Sequence, residues 1–178
     1  MNKLFTLLLA ITFVAATLTI SAVENITSKD KVISVNLVSL TYGRVNASLE
    51  FKMEPNNSFT LTAGYWDRGS DWYAFNVGAS YKWYIDAFEE NKKSLNGLAV
   101  GPRLDFYYND YNGTISNIYN PEGYPIFMVG AEASYKWVFG EGKYAIEPNF
   151  SFGFPVNKKK GEKAMQQYGF GINLGYCF

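Results

Sequence analysis

The chain contains no histidine and a single cysteine, Cys177, and only 18% of its 178 residues are charged. A soluble domain carries about a quarter charged residues. Without histidine, Ser–His–Asp hydrolysis, His-assisted acyl transfer and His-ligated metal sites are excluded. One cysteine excludes thiolate metal clusters and an internal disulfide. Cys177 is expected to be a buried, inert thiol. Neither charge sign dominates, with 16 basic and 16 acidic residues, so no nucleic-acid partner is expected. Beyond the first 22 residues no apolar run reaches the roughly 18 residues of a transmembrane helix. Phosphate-binding and calcium-binding loop motifs are lacking as well.

What is present in excess is aromatic: 14 Tyr, 14 Phe and 4 Trp, or 18% of the chain. The beginning is a special case. Lys3 precedes an unbroken apolar and small stretch, Leu4 to Ile20, and Thr19-Ile20-Ser21-Ala22 offers a cleavage site. This pattern predicts an exported protein with a signal peptide over 1–22, rather than a retained membrane anchor, which needs a longer run. Removing residues 1–22 from 178 leaves 156, one domain over 23–178, with 15 basic and 16 acidic residues.

The apolar residues of that domain are organised by alternation. Over 168–178, Tyr168, Phe170, Ile172, Leu174, Tyr176 and Phe178 alternate with Gly169, Gly171, Asn173, Gly175 and Cys177. A strict period of two is a strand with one apolar and one small or polar face. The same pattern runs through 144–154, 127–137, 98–108, 73–83, 59–65 and 45–53, and a looser version spans 32–41 with Ile33, Val35 and Leu37. These segments predict an all-β chain of eight strands, most close to the ~9–11 residues of a tilted membrane strand. Tight turns at 54–58 and 140–143 alternate with longer polar connectors at 66–72, 109–123 and 155–167, which predicts an antiparallel up-and-down β-barrel. Two connectors depart from this scheme: 42–44 is short where a long loop is expected, and 86–96 is long where a turn is expected.

Ala-Ser-Tyr-Lys-Trp occurs at 79–83 and again at 133–137. Both copies are expected at the lower ends of descending strands, with Tyr81, Trp83, Tyr135 and Trp137 at one membrane boundary and Trp66, Trp72, Tyr108 and Tyr124 at the other. Amphipathic rings favour that headgroup level. A soluble lipocalin-like barrel alternates too, with its apolar face inward. Volume opposes that choice, because an eight-stranded interior is barely wide enough for ordinary side chains. The Gly, Ala, Ser and Asn rows fit inside; the rings do not. The expected architecture is therefore a transmembrane β-barrel with apolar rows facing lipid.

The charged residues on the inward rows are Glu50, Lys52, Lys82, Arg103, Asp105, Glu132, Lys136 and Glu147. Paired carboxylates could act as acid and base. Opposite charges in a narrow lumen instead pair and hydrogen-bond, since an unpaired buried charge costs several kcal/mol. No enzymatic activity and no cofactor are expected.

The pattern resembles the small eight-stranded outer-membrane barrels, the OmpA-, OmpX- and OmpW-like group, over nearly the whole of 23–178. The resemblance implies residence in a bacterial outer membrane, contact with its lipids, and delivery by the barrel-assembly machinery. It also implies that Gly171, Leu174, Tyr176 and Phe178 form the signal which that machinery recognises. The outer-membrane phospholipases, lipid deacylases, palmitoyl transferases and proteases of similar fold depend on histidine, which this chain lacks. Two functions remain open. One is a structural or surface-interaction barrel, with Lys158, Lys159, Lys160 and Lys163 facing anionic lipid headgroups or glycans, and Tyr111 and Tyr119 in a contact surface. The other is a narrow channel or carrier for small solutes. The lysines could equally keep a solvated rim polar, and the external ligand is not legible.

Overall fold

A computed structural model of the chain describes residues 30–54, 56–67, 72–85, 95–111, 125–157 and 167–178. Eight strands are formed: β1 (Lys31–Asn36), β2 (Arg44–Glu54), β3 (Asn57–Asp67), β4 (Trp72–Tyr84), β5 (Gly97–Tyr111), β6 (Ile126–Phe139), β7 (Tyr144–Pro155) and β8 (Gln167–Cys177). Each pairs antiparallel with its neighbour in sequence, and β8 returns to β1, so the sheet is a closed up-and-down barrel. Closure gives every strand a neighbour on both sides, with the β1–β8 ladder running from Val32 opposite Cys177 to Asn36 opposite Asn173. The seam is extended by reciprocal backbone bonds between Lys31 and Phe178, of 3.0 and 2.9 Å.

The first strand is shorter than its apolar pattern predicts. Extended structure ends at Asn36, and Leu37–Thr41 form a one-turn helix, α1. The Asn36 side chain accepts a hydrogen bond from the Ser39 backbone N–H at 2.9 Å, an N-cap that competes with continuation of the ladder. Gly43, at φ +72°, ends the turn, a conformation that glycine adopts without steric penalty. The connector from β1 to β2 is thus 37–43, not 42–44, and the expected irregularity there disappears. Of the long connector expected at 86–96, residues 86–94 lie outside the described residues.

The alternation sorts the two faces as expected. Outward residues include Leu104 at 57% exposure, Phe150 at 50% and Phe170 at 64%, whereas Glu50, Lys82 and Glu147 are each 3% exposed. This inverts the usual burial preference of soluble proteins. At the lower end the rings form a belt. Tyr81 meets Trp83 at 5.4 Å, Tyr135 meets Trp137 at 4.5 Å, and Phe139, Tyr144, Tyr176 and Phe178 follow in contact. At the upper end Tyr73, Phe75 and Tyr108 cluster outside. Trp66 does not join them. It lies on the inward row, under the Arg44 guanidinium at 5.2 Å. Its parity is opposite to that of Tyr65, so a boundary role facing lipid is ruled out by register. The Trp72 side chain and Tyr124 lie outside the described residues.

The repeated Ala-Ser-Tyr-Lys-Trp has a shared structural setting. The β4–β5 register places Tyr81 opposite Pro102, and the β6–β7 register places Tyr135 opposite Pro148; the ladder lapses at both points. Proline has no N–H to donate to it. Close approach beside the first lapse requires glycine. A Cβ on Gly101 would run into the Tyr81 carbonyl, whereas one on Gly153 would meet the Met128 methyl at an ordinary 3.4 Å. Gly101→Ala is therefore expected to lower unfolding stability by roughly 1–3 kcal/mol and Gly153→Ala by no more than about 0.5 kcal/mol. Urea titration of the folded barrel in micelles checks the contrast.

Candidate functional site

The lumen has three levels. The lowest is apolar: Val32, Tyr84, Ala99, Ala145 and Cys177 point inward, Leu95 packs against them, and Val138 borders the cluster. Cys177 is 4% exposed, consistent with a buried thiol on the inward row.

Above this floor lies an ion network that joins strands from opposite sides of the barrel. Lys82 on β4 donates to Glu147 on β7 at 2.7 Å, and lies 3.3 Å from Glu132 on β6 and 3.8 Å from Glu50 on β2. Lys136 on β6 is bonded to Glu50 and stands 3.8 Å from Glu147. Lys82 and Lys136 are the two lysines of the repeat, so the same short sequence delivers both ammonium groups to one cluster. Arg103 on β5 grips Asp105 through two bonds of 2.7 and 2.8 Å, and donates a third to Glu132 at 2.8 Å. Hydroxyls complete the pairing. Ser58 and Tyr84 each donate to Glu50 at 2.6 Å, and Ser80 lies 3.0 Å from Glu132 as a donor.

The expected lumen charges Glu50, Lys82, Arg103, Asp105, Glu132, Lys136 and Glu147 are thus brought together. Lys52 occupies the same row near the lower end of β2 and is half-buried. Arg44 was missed by sequence reasoning because the supposed connector 42–44 hid it. Its even-numbered parity with Asn46 and Ser48 was the available signal, once β2 is known to begin there.

Chemically the network is a brace. Its carboxylates are held by ammonium, guanidinium or hydroxyl donors, so the strands that carry them are tied together across the lumen. Among the described residues no group of three or more His, Cys, Asp or Glu side chains is arranged to hold a metal ion. Taking such charges out of water is costly, and hydrogen-bonded pairing compensates for it.

The upper level is a polar cavity of about 130 Å³, bordered by Arg44, Asn46, Thr60, Thr62, Asn76 and Tyr107 among others. Lys82, Arg103 and Glu132 form its base. Several wall oxygens lack a protein hydrogen-bond partner: Asn46 Oδ1, Thr60 Oγ1, Thr62 Oγ1 and Asn76 Oδ1. Asn36 and Asn173 of the same wall are bonded to each other at 3.0 Å.

The residues expected to form an assembly signal divide between faces. Leu174 and Tyr176 are exposed on the outer surface at 46% and 44%, and Phe178 stacks on Tyr176. Gly171 faces inward, where a Cβ would collide with Asn36 and Asn149; packing alone accounts for glycine there. Lys158, Lys159, Lys160, Lys163 and Tyr119, and the side chain of Tyr111, lie outside the described residues. The chain matches no known family model, no curated protein and no solved structure.

Proposed function

We propose that this chain is a membrane-spanning barrel of the small outer-membrane type, with a structural or surface-interaction role. The observation that carries the reading is the inversion of polarity: apolar rows and aromatic belts cover the outside, while the buried interior is polar and charged. A bilayer is the solvent in which such a surface is stable. Water around it would contact an apolar area far larger than a monomeric soluble protein exposes. No described helix is long and apolar enough to cross a membrane, so crossing would rest on the strands. In this reading the outward residues of β8 meet the assembly machinery, and the rings of both belts meet lipid headgroups.

The filled lumen favours a structural role over a channel. An ion brace stands over an apolar floor, and open pores are built from many more strands. A narrow channel is the competing reading, and planar-bilayer recordings separate the two: no stepwise conductance is expected.

The decisive test of the membrane setting is fractionation. The mature protein is expected in the outer-membrane fraction, with faster gel migration before boiling than after. Recovery in the soluble periplasm would overturn the proposal.

A further inference from the structure

We propose that the upper lumen is a binding site for a small carboxylate that also carries hydrogen-bond donors, of the hydroxy-acid or amino-acid class. Five groups define it. Asn76 and Thr60 are only 3% and 4% exposed, and their oxygens, with those of Asn46 and Thr62, are buried without protein partners on residues that line the cavity. Buried polar groups in folded proteins are nearly always hydrogen-bonded, to protein or to ordered water. Two amide oxygens require donors, and two threonine hydroxyls can give or accept.

The fifth group is Arg44. Its guanidinium lies over the Trp66 ring at 5.2 Å, and among the described residues no carboxylate forms an ion pair with it. The bases of the ion network are committed: Lys82 to Glu147, Lys136 to Glu50, and Arg103 to Asp105 and Glu132. Ordered water could satisfy the oxygens, but it supplies no counter-charge to a guanidinium in a confined site. A carboxylate does, and a fork of N–H donors matches its two oxygens. Hydroxyl or ammonium groups on the same molecule would then reach the amide oxygens lower in the wall.

Glycine makes the room in which these wall oxygens sit. A Cβ at Gly64 would run into Asn76 Oδ1 and come within 3.0 Å of Asn46 Oδ1, and one at Gly78 would come within 2.6 Å of Thr62 Oγ1. The volume, about 130 Å³, suits a solute of a few carbons. The ion brace below gives the site a closed base, so binding needs no passage through the barrel. The inference rests on the polar-interior barrel but not on where that barrel resides.

The test is calorimetric titration of the full folded chain in micelles, at constant ionic strength, with L-lactate and L-serine as probes. Saturable binding of at least one probe is expected, at least tenfold weaker in Arg44→Gln and in Asn76→Leu. Glycerol, with donors but no carboxylate, and chloride, with charge but no donors, are expected to bind at least tenfold more weakly than the better probe. Heat-modifiable migration verifies that each variant is folded, and Thr62→Val replaces Asn76→Leu if the latter fails that check. Absence of binding to the folded wild type would overturn the site. So would unchanged affinity in Arg44→Gln, or chloride or glycerol equal to the better probe. A chain that folds but does not bind removes this inference alone. A chain found in the soluble periplasm removes the membrane reading and leaves the site standing.

Discussion

Glu50→Leu is expected to destabilise the barrel by about 3–5 kcal/mol, the usual cost of removing one partner from a buried charge pair. Glu50 receives Ser58 and Tyr84 at 2.6 Å and is bonded to Lys136, which is only 1% exposed. After the substitution Lys136 keeps the Tyr84 hydroxyl at 2.9 Å and Glu147 at 3.8 Å, a poor replacement for a direct carboxylate. The second half of the experiment separates pairing from packing. Replacing both partners, Glu50→Leu with Lys136→Met, is expected to recover most of the loss, because an apolar pair of similar volume often matches a buried ion pair in stability. The four urea titrations of a double-mutant cycle yield the coupling directly. Equal destabilisation in the single and double variants would show that Glu50 contributes through shape, and that the brace is not electrostatic.

Phe150→Lys is expected to weaken folding into bilayers by roughly 2–4 kcal/mol, the cost of lysine near the lipid-facing midplane, or about 30- to 1,000-fold in the folding equilibrium. Phe150 lies midway along β7 and is 50% exposed on the outer face. Its neighbour Ser151 borders the polar upper cavity, so Ser151→Thr is expected to change stability by less than about 0.5 kcal/mol. The two sites share a strand and nearly a depth, and differ in the side they face. Folding yield into vesicles, measured for both variants, tests the membrane reading as well as the face assignment. Wild-type folding of Phe150→Lys in lipid would argue against a bilayer around this surface.

Much of this architecture was legible in the chain because a strand repeats every two residues. Large apolar and small or polar rows identify a strand and its two faces without knowledge of its neighbours. That periodicity located the seven strands from β2 to β8 to within a few residues, and ring volume placed the small rows inside. It failed at 37–41, where Leu37 continued the apolar alternation but the Asn36 cap and Gly43 supported a helical turn instead. It misplaced Trp66 because a tryptophan near a strand end suggests a membrane boundary, while the paired register with Arg44 and Ala74 turns it inward.

The inward charges were also readable from parity, but their partners were not. Glu50 and Lys136 are 86 residues apart, and Lys82 and Glu147 are 65 apart. Alternation says only that each points inward; it carries no information about which side chains meet across the lumen or at what height. Those meetings follow from closure of the barrel and from the stagger between its strands. The same closure sets the apolar floor, brings both lysines of the repeat into one cluster, and leaves Arg44 above it beside a wall of unpartnered oxygens. The period of the strand is a local property of backbone geometry, and the sequence alone determined it. The identity of each charge's partner is a property of the closed sheet, and only the tertiary structure decided that.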